Sequence, residues 1–115
     1  MRIEYSNPPL HDSFQALDLA QHGSSLIERY MDSGVFSEIE EAIQVLRNAN
    51  TFIPEHNPLK ADHLHDLGVA FRCRFERLGD LADLDEAITV QQQAVRLAPD
   101  DDPDRPTYFS DLAMA

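Results

Sequence analysis

Shifted against itself by 45 residues, the chain matches without a gap. Glu41-Ala42-Ile43 falls on Glu86-Ala87-Ile88, Val45 on Val90, Ala49 on Ala94, Pro54 on Pro99 and Pro58 on Pro103. Asp66-Leu67 falls on Asp111-Leu112, and Ala70 on Ala115. Upstream, Gly23 meets Gly68, Arg29 meets Arg74, Tyr30 meets Phe75 and Gly34 meets Gly79, while Pro9, Pro54 and Pro99 form a complete triple. An offset held in phase along nearly the whole chain marks a repeated supersecondary unit, which buries its apolar face by stacking on its neighbours. Few folds satisfy that condition in 115 residues.

Within each period the apolar spacing is that of a helix. Leu64, Leu67, Gly68, Phe71, Phe75 and Leu78 line one face. Leu84, Ala87, Ile88, Gln91, Ala94, Val95 and Ala98 line a second, and Ile39, Ala42, Ile43, Leu46, Ala49, Phe52 and Ile53 repeat it one period earlier. Nothing alternates with period two. Ser37-x-x-Glu40 and Asp83-x-x-Glu86 read as capping boxes. Gly34 and Gly79 stand where a helix must turn back. Pro54 and Pro99 close the second helix of each pair, and Pro106 suits the first turn of another. The spacing therefore predicts an all-α fold with helices near 12–31, 37–52, 61–77, 82–98 and 105–115. Residues 1–10 read as a tail. Residues 11–115 read as about two full repeats plus the first helix of a third.

One helix carries Leu64, Leu67, Gly68 and Phe71, and its partner carries Ala87, Gln91, Ala94 and Pro99. The preceding copy has Leu19, Gly23 and Leu26, then Ala42, Leu46, Ala49 and Pro54; a third begins with Phe109, Leu112 and Ala113. This pattern resembles the tetratricopeptide (TPR) helix pair. The resemblance implies helix-turn-helix units stacked as a short right-handed solenoid, with a concave wall built by the first helix of each pair. On that alignment the inward, partner-facing positions are Ala20, Ser24 and Ile27, then His65, Val69 and Arg72, then Ser110 and Met114. TPR repeats ordinarily run about 34 residues, so this period is long, and the excess falls mainly between Arg72 and Leu84 and after Pro99. Arg74-Phe75-Glu76-Arg77-Leu78-Gly79-Asp80-Leu81, Leu84-Asp85-Glu86-Ala87-Ile88 and the segment from Leu97 to Pro106 resemble long-period arrays of large fungal multidomain proteins. Such arrays often flank a CHAT (caspase-like) protease domain or a nucleotide-binding signalling module.

Charge narrows the partners. Nine Lys and Arg against 21 Asp and Glu leave a net charge of −12. Phosphate-backbone binding and anionic membrane surfaces need the opposite sign, which argues against nucleic acid and against membrane. No apolar run approaches the roughly 18 residues of a membrane span, and the first residues lack a signal peptide's apolar stretch. A single cysteine, Cys73, permits no internal disulfide. A reducing, cytoplasmic setting fits this usage.

Hidden chemistry has few candidates. His63 and His65 are two apart on a helix, about 200° around it, so they cannot grip one ion together. Together with His56 they read as solvated polar side chains. Asp100, Asp102 and Asp104 have calcium-loop spacing, but Arg105 and Pro106 follow where such a loop needs Gly and a carbonyl donor, and Asp111 stands where Glu is needed. Cys73 lies beside Arg72 and Arg74, which favour a thiolate, yet no histidine shares its helix face. Arg72, Arg74 and Arg77 read as local ion pairs with Glu76, Asp80, Asp83 and Asp85, the alternative being an arginine anchor for an acidic partner. No catalytic, cofactor or metal set emerges.

The sequence therefore points to a non-catalytic interaction module that takes a peptide or helix on its concave face. A neutral or basic protein partner suits the charge better than an acidic one. The alternative is a structural spacer or self-association segment of a larger protein carrying a CHAT or NTPase domain. Self-association would run through the final helix, where Phe109 and Leu112 have no following helix to cover them.

Overall fold

The computed structural model describes residues 9–98, with side chains from residue 15 onward. Four helices follow one another: α1 (Pro9–Ser33), α2 (Phe36–Phe52), α3 (Lys60–Leu78) and α4 (Leu81–Leu97). Among the described residues there is no strand. α1 packs along α2 and α3 along α4; α2 joins the two hairpins through α3, and a smaller contact runs between α1 and α3. The expected helix at 105–115, and residues 1–8 of the expected tail 1–10, lie outside the described residues.

The 45-residue register of the sequence holds in three dimensions. Phe36–Phe52 and Leu81–Leu97 are one period apart at both ends, as are the ends of α1 and α3 at Ser33 and Leu78. Both hairpins turn on a glycine of positive φ, Gly34 at 71° and Gly79 at 75°. Glycine takes that conformation without a Cβ penalty. The Gly34 amide donates to the Tyr30 carbonyl at 2.7 Å, and the Gly79 amide to the Phe75 carbonyl at 2.6 Å. At the other end the Ile53 and Ala98 amides close α2 and α4 on the carbonyls of Ala49 and Ala94. Ile53 and Ala98 are both extended, as residues preceding proline must be.

Close approach within each hairpin rests on the same pair of positions. A Cβ built on Gly23 would lie 2.5 Å from Leu46 Cγ, and one on Gly68 would lie 2.7 Å from Gln91 Cγ. Gly68 thus takes the role for Gln91 that Gly23 takes for Leu46, one period earlier. Ala42, Ala49, Ala87 and Ala94 are the small residues on the facing helices, all at or below 1% exposure. Leu26, Ile39, Leu46, Ile53 and Phe71 fill the space between, each essentially sealed from solvent. Each contributes about 1.5–3 kcal/mol of burial.

The helix starts differ from the sequence expectation. Ser37 and Asp83 lie inside the first turns of α2 and α4, not at their caps. Asp80 caps α4, accepting from the Ala82 amide at 3.0 Å. α2 begins after Val35 without a side-chain cap, while Ser33 Oγ accepts from the Val35 amide and donates to Glu38. Asp83 is drawn away from capping by Arg74, described below. α1 also starts earlier than expected, at Pro9. Proline suits the first turn of a helix, so Pro9 opens a helix although its counterpart Pro54 follows one.

Candidate functional site

The first helices of the two hairpins, α1 and α3, are tied side by side by one partly buried carboxylate, that of Asp66. Ser24 Oγ donates to Asp66 Oδ2 at 2.6 Å. His63 Nδ1 lies 3.8 Å from the same oxygen, and His65 Nδ1 lies 3.9 Å from Oδ1. Burial pushes the Asp66 carboxyl up, but the contacts from His63, His65 and Ser24 outweigh it and hold the group well below the usual carboxylate range. Asp66 therefore stays charged. The two histidines, 200° apart and unable to chelate an ion, instead flank one aspartate from its two oxygens.

This corrects the reading of His63 and His65 as solvated, while His56 is exposed as expected. His63 is only 8% exposed, and its carbonyl accepts from Asn50 Nδ2 at 3.2 Å. The same amide donates to Leu46 O, so Asn50 pins α2 against α3. His65 is partly buried. Reasoning along one helix missed this cluster because Ser24 comes from the other hairpin, 42 residues away. Asp66 did carry a signal, since it recurs as Asp111 one period on.

The eight expected inward positions divide three ways. Ala20 is wholly buried and Ile27 is 6% exposed, both within the core. They offer no surface to a partner, because neighbouring helices already cover them. Ser24, His65, Val69 and Arg72 are partly exposed on α1 and α3. Ser110 and Met114 lie outside the described residues. Arg72 has a further property: its Nη1 is buried and has no hydrogen-bond partner. It shares a face of α3 with His65 and Val69, at i, i+4 and i+7.

The other arginines of α3 work between elements: the expected Arg74–Asp83 pair forms, joining α3 to α4, and the remaining contacts reach the first hairpin. Arg74 grips Asp83 through Nε and Nη2, at 3.0 and 2.9 Å, and reaches Glu40 on α2 with Nη1 at 2.8 Å. The Asp83 carboxylate first of all, and then Glu40, hold the guanidinium firmly in its charged form. Arg77 donates to the Gly34 carbonyl at 3.1 Å and lies 5.2 Å from the centre of the Phe36 ring. Both thereby join the second hairpin to the turn end of the first. Cys73 is half-buried. Burial and Glu76 push its thiol up more than Arg72 draws it down, so the adjacent arginines do not make it a thiolate.

Among the described residues no group of three or more His, Cys, Asp or Glu side chains is arranged to hold a metal ion. No helix among them is long and apolar enough to cross a membrane. The calcium-like spacing of Asp100, Asp102 and Asp104 lies outside the described residues. Searches against protein-family models, curated proteins and solved structures find no match for this chain.

Proposed function

We propose that the chain is a TPR-like, non-catalytic binding module that receives an extended peptide or a helix of a protein partner along the α1/α3 face. The observation that carries this reading is the unpartnered, buried Nη1 of Arg72 beside the partly exposed Val69. A buried N–H without an acceptor costs free energy, which a partner's carbonyl oxygen would recover once the partly exposed Arg72 side chain turns outward. Every peptide backbone supplies that acceptor, so the partner need not be acidic. The charge of −12 favours one that is neutral or basic overall. The 45-residue equivalence of the two hairpins supports the solenoid reading, in which first helices line one wall. A cytoplasmic setting accords with the free thiol of Cys73.

The test is capture of partners by the 115-residue chain, compared with Val69→Glu and Arg72→Met. A partner retained by the wild type and lost by both variants, with unchanged circular dichroism, is the expected result. Retention by both variants overturns the assignment of this face.

The spacer or self-association reading draws on a different observation. Met31, Val35, Leu78 and Leu81 are 62, 49, 59 and 67% exposed at the turn end of the hairpins. If that end mediates association, sedimentation shows a concentration-dependent dimer that Leu81→Lys abolishes. A strict monomer removes self-association.

A further inference from the structure

On the side of the second helices, a cleft of about 230 Å³ opens between α2, the start of α3 and the end of α4. Arg47, Lys60 and Arg96 line it, against one carboxylate, Glu55. This local excess of positive charge stands in a chain where acidic residues outnumber basic ones 21 to 9. Elsewhere three of the described arginines are committed, Arg74 to Asp83 and Glu40, Arg29 to Glu38, and Arg77 to the Gly34 carbonyl, while Arg72 stands alone on the α1/α3 face. Lys60 is partly committed too, since its ammonium donates to the carbonyls of Asn50 and Ile53 at the end of α2. Arg47 and Arg96 are different. Neither forms an ion pair with a described carboxylate, and Arg47 instead lies 5.3 Å from the centre of the Phe71 ring. Leu64, Leu67 and Val90 supply apolar lining that weakens solvent screening around the cations.

A second observation in the same lining points to a ligand. Asn50 is 6% exposed, and its Oδ1 is buried with no hydrogen-bond partner, while Nδ2 is fully engaged by Leu46 O and His63 O. A buried acceptor left without a donor calls for an explanation beyond packing.

We propose that this cleft binds a small oxyanion that also carries a hydrogen-bond donor: a phosphorylated or carboxylated small molecule with hydroxyl groups. The guanidinium forks of Arg47 and Arg96 match a phosphate or carboxylate. Lys60 adds charge, and Asn50 Oδ1 takes a hydroxyl. The volume corresponds to about eight waters at ~30 Å³ each, which suits a small molecule better than a protein segment. This inference concerns the second helices and does not depend on partner binding at the α1/α3 face.

The experiment is a titration of the ¹⁵N-labelled chain, followed by amide chemical shifts. The probes are inorganic phosphate, glucose 6-phosphate and tartrate, with sodium chloride at matched ionic strength as reference. Saturable shifts at Arg47 to Thr51 and Gln93 to Arg96, beyond those of sodium chloride, are expected. Glucose 6-phosphate should bind more tightly than phosphate, because its sugar hydroxyls can reach Asn50 while the phosphate group stays on the arginines. A preference for glucose 6-phosphate over tartrate assigns the anion as phosphate, and the reverse assigns it as carboxylate. Arg47→Gln and Arg96→Gln should each weaken binding about tenfold, the worth of one charge-assisted contact. Both side chains belong to exposed residues, so the fold should survive their loss. Glu55→Gln should tighten binding, and Arg29→Gln should leave it unchanged. Shifts that merely track sodium chloride, or that persist in the Arg47→Gln/Arg96→Gln double variant, overturn the proposal.

Discussion

Gln91 is the residue most at odds with its surroundings. It is 1% exposed, its Oε1 has no partner, and it presses on Gly68 where Leu46 presses on Gly23. Restoring leucine removes the orphaned acceptor and keeps a side chain that this geometry already accepts one period earlier. Gln91→Leu should raise stability by about 1–2 kcal/mol, read from chemical denaturation; a loss of stability would show that the amide is satisfied. The reverse test is Gly68→Leu. With only 2.7 Å to Gln91, the added side chain must part the hairpin, costing about 1–3 kcal/mol. An unchanged midpoint would mean α3 and α4 do not approach closely here. Asp66 gives a pH dependence. Its folded pKa lies below its ordinary value near 3.9. The stabilisation is therefore present above about pH 4 and is lost as pH falls toward the folded pKa. The stability gap between wild type and Asp66→Asn should be widest near neutrality and close in acid. A pH-independent gap would refute the Ser24 and histidine contacts as its source.

Among the helices, the important question is what fixes one hairpin against the other. Arg74 is the principal polar tie, since it spans α3, α4 and α2 through Asp83 and Glu40. Asp83 is only 5% exposed, so removing the guanidinium strands a buried carboxylate. Arg74→Met should cost about 3 kcal/mol in thermal or denaturant unfolding, more than Arg74→Met combined with Asp83→Asn. Equal losses would place Asp83 in water. The capping boxes read from Ser37 and Asp83 illustrate the same coupling. Their spacing is right for a helix start, but Arg74 engages Asp83 from another element, and Asp80 takes the cap instead.

For the molecule as a whole, helices of 25, 17, 19 and 17 residues account for about two-thirds of the 115-residue chain. Far-UV circular dichroism should report that content or more, and a strand-dominated spectrum would contradict the architecture. The chain's acidity and the basic cleft of Arg47, Lys60 and Arg96 act at this scale together. The mean field repels anions, while the local one collects them at one place.

The sequence by itself determined the helical class, the two-hairpin period and the positions of the turns. These depend on local causes: apolar spacing of 3.6 residues, glycines at Gly34 and Gly79 where φ is positive, and prolines after Ile53 and Ala98. It also marked Gly68 and Ala94 as small positions of the helix pair, recurring one period apart; the first is a close approach and the second is fully buried. Only the tertiary structure decided which polar side chains meet. Ser24 reaches Asp66, and Arg74 reaches Glu40, across 42 and 34 residues. Such pairs leave no period in the chain, since each depends on how one helix is rotated against another. For the same reason, Ala20 and Ile27 passed from an expected surface into the core. A repeat pattern states which face of a helix is small or apolar, and burial is settled by the neighbour that covers it.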